Sequence, residues 1–169
     1  MPFPNSSPYE SFDLNFGDSS IEGAIPKYFI ALQRLQNLSD LSLNFSKWDL
    51  NQEKNITTEL IFAGLMLLKT LPIQKLTLDL GTLYNNSEDL CLSIILPQFI
   101  SLKSLGLYFI NNQSRMPLRD QDLVDVLACL KEIPNLSSLT LSFYNVTQLL
   151  EVVGNVSETL KLLPGLTEL

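Results

Sequence analysis

Histidine is absent from this 169-residue chain. The commonest general base and the usual ligand for transition metals are therefore missing, and enzymatic chemistry built on imidazole is excluded. Basic excess is lacking too. Eleven Lys and Arg stand against 18 Asp and Glu, a formal charge of −7, a balance that argues against wrapping nucleic acid, which needs a basic face, and against an anionic membrane surface. No apolar run is long enough to cross a bilayer; the longest, residues 60–68, spans nine residues between Glu59 and Lys69. The amino end lacks both the basic and the apolar regions of a signal peptide. Only two cysteines occur, Cys91 and Cys129, each inside an apolar stretch, and they read as buried thiols of a reducing compartment rather than as a disulfide or metal pair. No phosphate-binding or dinucleotide-binding glycine pattern occurs. The densest acidic clusters, Asp120/Asp122/Asp125 and Glu88/Asp89, fit helix starts better than metal sites. Neither cofactor nor metal nor small-molecule substrate is expected.

Leucine is what the chain has in abundance, and it recurs in a fixed phrase. The copies start at Leu38, Ile73, Leu102 and Leu136, and each carries apolar residues at its first, fourth, sixth and eighth positions: Leu38/Leu41/Leu43/Phe45, Ile73/Leu76/Leu78/Leu80, Leu102/Leu105/Leu107/Phe109 and Leu136/Leu139/Leu141/Phe143. A degenerate copy holds Phe12, Leu14 and Phe16, and a truncated one runs from Leu166 to Leu169. Alternation of this kind is the period of a strand with one buried face. The intervening residues at positions three, five and seven are mostly small and polar, with almost no bulky apolar residue except Tyr108. Between the strands, residues 21–35, 57–71, 87–96, 120–133 and 147–163 carry apolar residues at helical spacing, and prolines at 72, 97, 134 and 164 punctuate their ends. Strand and helix repeated in one direction give parallel strands.

The L-x-x-L-x-L phrase at these intervals resembles the leucine-rich repeat family, in its long-repeat, ribonuclease-inhibitor-like class. The resemblance covers about residues 9–169. It implies an α/β leucine-rich repeat solenoid, right-handed, with a curved parallel sheet on the concave side and helices on the convex side. The asparagine ladder of that class is missing, since Ser46, Gly81, Ile110 and Tyr144 occupy its places, and an apolar residue at position eight is expected to substitute for it. Residues 1–169 read as one domain of about five units, with residues 1–11 as an amino-terminal lid. The carboxyl end stops in mid-strand with no cap, as in a fragment of a longer array or an edge covered by something else.

Fourth-position residues Phe12, Leu41, Leu76, Leu105, Leu139 and Leu169 are spaced by 29, 35, 29, 34 and 30 residues. The extra length falls in two loops at one edge of the sheet, residues 46–55 and 110–119, which hold Trp48 and Arg115. Such arrays bind proteins, so the expected role is a non-enzymatic protein-binding or assembly module. Its partner-binding residues are Asn44, Asp79, Tyr108 and Ser142 on the strands, with Trp48 and Arg115 on the rim. Three alternatives stay open: a structural subunit docking through its uncapped end, a secreted glycosylated receptor, and a GTPase-regulating repeat protein. The second rests on nine N-x-[ST] acceptors (Asn5, Asn37, Asn44, Asn55, Asn85, Asn112, Asn135, Asn145 and Asn155), where composition alone gives about two. Against it stands the missing signal peptide, which favours a cytoplasmic location.

Overall fold

In the computed structural model, residues 10–16, 24–46, 54–81, 92–110, 120–144, 156, 160, 161, 163 and 165–167 are described. They form a five-stranded parallel sheet in chain order: β1 (Ser11–Asn15), β2 (Asp40–Asn44), β3 (Lys75–Gly81), β4 (Ser104–Ile110) and β5 (Ser138–Tyr144). Helices α1 (Ile25–Gln33), α2 (Lys54–Leu68), α3 (Leu92–Ile95) and α4 (Asp120–Leu130) lie between successive strands. A single 3-10 turn, Leu96–Gln98, extends α3. Val156, Leu160 and Lys161, from the fifth expected helix, are helical as well.

Apart from one slip between β3 and β4, every register pair joins equivalent positions of the leucine phrase. Leu41 lies opposite Leu76, Leu76 opposite Leu105 and Leu105 opposite Leu139, and Leu43, Leu78, Leu107 and Leu141 form the next row. These rows point to the helices and, with Leu141 only partly buried, make one core with Phe29, Leu32, Ile61, Leu65, Leu68, Ile95, Val126 and Leu130. Removing such a leucine from water contributes about 1.5–3 kcal/mol, so the repeated phrase alone supplies a large share of the driving force.

Position eight behaves as the phrase suggests. Phe16 stacks on Phe45 (centroids 4.7 Å apart, planes 7° apart) and Phe109 stacks on Phe143 (5.4 Å, 4°). Leu80, buried, stands between the two pairs, and the β3–β4 register slips there, so that Asp79 faces Tyr108 while Gly81 faces Phe109. One residue before the places of an asparagine ladder, this chain packs apolar side chains.

Backbone hydrogen bonds at position two tie the turns at the start of the strands. The Glu10 carbonyl accepts from the N–H groups of Ser39 and Asp40, the Ser39 carbonyl from Gln74 and Lys75, the Gln74 carbonyl from Lys103 and Ser104, and the Lys103 carbonyl from Ser137 and Ser138, at 2.7–3.0 Å throughout. Where position two carries a hydroxyl, that hydroxyl donates to the same carbonyl: Ser39 Oγ to Glu10 O, Ser137 Oγ to Lys103 O and Thr167 Oγ1 to Ser137 O. Thr167 N–H also donates to Ser137 O at 2.8 Å, so the truncated last copy begins a sixth turn in step with the other five.

Helix limits differ from the periodic pattern for local reasons. The described part of α1 opens at Ile25 with Pro26 in its first turn, where a missing N–H costs nothing. Both ends of α2 fall three residues earlier than expected, and Leu71 N–H then bonds to Leu68 O in a tight turn before Pro72. Pro97 converts the end of α3 to the 3-10 turn.

Candidate functional site

The face of the sheet away from the helices carries three rows of side chains set by register. The first runs Ser11, Asp40, Lys75, Ser104, Ser138; the second Asp13, Ser42, Thr77, Gly106, Thr140; the third Asn15, Asn44, Asp79, Tyr108, Ser142. All four strand residues expected to bind a partner therefore fall in one line across the sheet. With strands about 4.8 Å apart, the line from Asn15 to Ser142 spans about 19 Å. Asn15 completes it. The degenerate copy around Asn15 hides this residue in the sequence, although the alternation Phe12, Leu14, Phe16 already sets it on the polar face.

Within the line, the side chains differ in freedom. The Asn44 Oδ1 accepts from Ser46 N–H at 2.9 Å and from Ser46 Oγ at 2.7 Å, an Asx-type turn that stops β2 and fixes the carboxamide. Asp79, Tyr108 and Ser142 are half-buried. Tyr108 is bedded on its own strand: its Cε2 lies 3.2 Å from where a Gly106 Cβ would stand, and Thr77 Oγ1 and Cγ2 lie 3.4 and 3.5 Å from that point. Glycine inside a strand weakens it, and here the lost side chain makes room for the ring. Gly106 and Thr77 thus belong to the site, although the repeat pattern does not single them out; an interior strand glycine two residues before the one aromatic on that face was the available signal.

Trp48 and Arg115 lie outside the described residues, as do Cys91, residues 1–9 of the expected lid, and most of both rim loops. Cys129 is described and is a free, buried thiol on α4 whose Sγ donates to Val126 O at 3.0 Å. Burial pushes its pKa up to about 12, with the nearby Glu132 carboxylate adding to the rise, so it is a poor nucleophile at neutral pH. Among the described residues, no group of three or more His, Cys, Asp or Glu is placed to hold a metal ion, and no helix is long and apolar enough to cross a membrane.

No protein-family pattern and no curated protein matches the sequence. Among solved structures, the chain is similar to the actin-binding site 2 of leiomodin-1, with a TM-score of 0.52 and 16% sequence identity over 93% of this chain and 84% of that one. At that identity the likeness concerns the fold: a parallel α/β sheet with helices, of a kind that in the leiomodin-1 case is an actin-binding site.

Proposed function

We propose that the chain is a leucine-rich repeat solenoid of the ribonuclease-inhibitor-like class that binds a protein through the polar face of its sheet, without catalysis of its own. The observation that carries this reading is the line Asn15–Asn44–Asp79–Tyr108–Ser142. It places one aromatic, one carboxylate, two carboxamides and one hydroxyl in register on a rigid, hydrogen-bonded surface. An extended surface of that size suits a protein partner rather than a small ligand, which needs a concave enclosure. The two loops that the sequence expects at one edge of the sheet, with Trp48 and Arg115, would extend that surface. The structural likeness to an actin-binding site supports a protein-binding role and makes actin the first partner to try.

The test is a photo-crosslinking residue introduced singly at Asp79 or Tyr108, with Ala63 on α2 and Ala128 on α4, both exposed on the opposite side, as controls. Incubated with monomeric or filamentous actin, and separately with extract, the strand positions should form adducts that the helix positions do not. Adducts from the helix positions alone would move the binding surface off the sheet. Tyr108→Ala should weaken any such complex by about 2 kcal/mol if the ring is a binding hot spot.

A further inference from the structure

The three rows of the polar face are not uniform in charge. On β1, β2 and β3 they hold Asp13, Asp40 and Asp79 against the single cation Lys75. On β4 and β5 they hold Ser104, Gly106, Tyr108, Ser138, Thr140 and Ser142, with no charge at all. The boundary falls between β3 and β4, where Asp79 and Tyr108 are register partners on adjacent strands. The backbones of an acidic and an aromatic residue are therefore about one strand spacing apart on the same face. The ring edge lies over Gly106, in the space that a side chain there would fill. A planar cation can lie on such a ring while its N–H groups reach the neighbouring carboxylate, a combination that favours Arg over Lys.

We propose that the protein partner is basic where it meets β1–β3 and presents an arginine side chain that seats on Tyr108 against Asp79, while an uncharged part of the partner covers β4 and β5. This rests on the protein-binding reading above and adds the partner's chemistry and its direction on the sheet. Charge complementarity supports it. Asp13 and Asp40 lie two strands and one strand from Asp79, within the reach of one extended basic segment of several residues, and the chain as a whole carries −7. The neutral half gives no such attraction, so a basic segment has one preferred side.

Titration of the isotope-labelled full chain with acetylated, amidated hexa-arginine, followed by amide NMR, tests this directly. Saturable shifts are expected at Thr77, Asp79, Gly106 and Tyr108, weakened by added NaCl and absent with hexaglutamate or a Gly-Ser hexapeptide. Asp79→Asn and Tyr108→Leu should each raise the Kd by about two- to fivefold. Asp79→Asn keeps size and shape, and an unchanged thermal midpoint would show that the loss is one of binding. Shifts spread evenly over the exposed helix-side acids Glu59, Asp125 and Glu132, or an Asp79→Asn protein that binds as the parent does, would overturn the proposal. So would crosslinking of a partner at Tyr108 that hexa-arginine does not compete away; in that case the protein-binding reading stands and this one falls. No strand-face crosslink to any protein would remove both.

Discussion

Two residues show how a single atom decides a local outcome. Gly64 is buried in α2 directly against the Phe29 ring of α1, and a Cβ there would lie 2.2–2.5 Å from three ring carbons. In an exposed helix, Gly→Ala is worth up to about 1 kcal/mol in favour of alanine. Here the added methyl has to displace a fully buried ring, and overpacking costs about 1–3 kcal/mol. Gly64→Ala should therefore lower the thermal midpoint, and pairing it with Phe29→Leu should cost less than the sum of the two single changes. Cys129 is the second case. Its folded pKa is raised from 9.0 to about 12, so folding favours the protonated thiol. That contribution is complete below pH 9 and is lost as the pH climbs through 12. In a Cys91→Ser background, Cys129 should resist iodoacetamide at pH 8 until denaturant unfolds the chain, and stability in denaturant should fall as pH rises beyond about 9. Rapid native-state alkylation would contradict the burial.

At the level of elements, the ladder of position-eight side chains holds the strands' far ends together. Phe45 is fully buried and stacked on Phe16, whose ring also meets Tyr28 edge-on at 5.9 Å. Phe45→Ala should cost about 3–5 kcal/mol, measured by urea unfolding, and should loosen β1 with β2 because Phe16 loses its stacking partner. Phe143 is only half-buried, so Phe143→Ala should cost clearly less. An equal cost at both sites would mean that the stack does not differ between the centre and the β5 side. The strands are legible in the alternation of apolar and polar residues, because burying one face of a strand demands that period. The helix limits are less legible, because proline and the tight turns after Leu68 and Leu96 set them, and periodicity does not see these.

For the whole molecule, each turn packs chiefly on its two neighbours, as in any stacked array. β3 has a neighbour on each side, whereas β1 has one among the described strands. Leu78 is fully buried and Leu14 only partly so. Leu78→Ala should therefore destabilise the array by about 2–5 kcal/mol and raise hydrogen exchange on β2 and β4 together. Leu14→Ala should cost less and confine its effect to β1 and β2. Exchange that rises uniformly in both variants would point to a single cooperative unit rather than stacked turns.

Residue order along the chain is enough to set the strands, their parallel pairing in succession and the membership of the core, because a leucine at every second position has only one way to leave water. It also places Asn44, Asp79, Tyr108 and Ser142 on one face, since side chains alternate along a strand. Their alignment into one line with Asn15, the slip of register at Leu80, and the seat of Tyr108 on Gly106 beside Thr77 arise only in the folded chain. Those features depend on which residues, most of them 28 to 35 positions apart, meet in the folded sheet, and a periodicity records which way a side chain faces, not what it meets there.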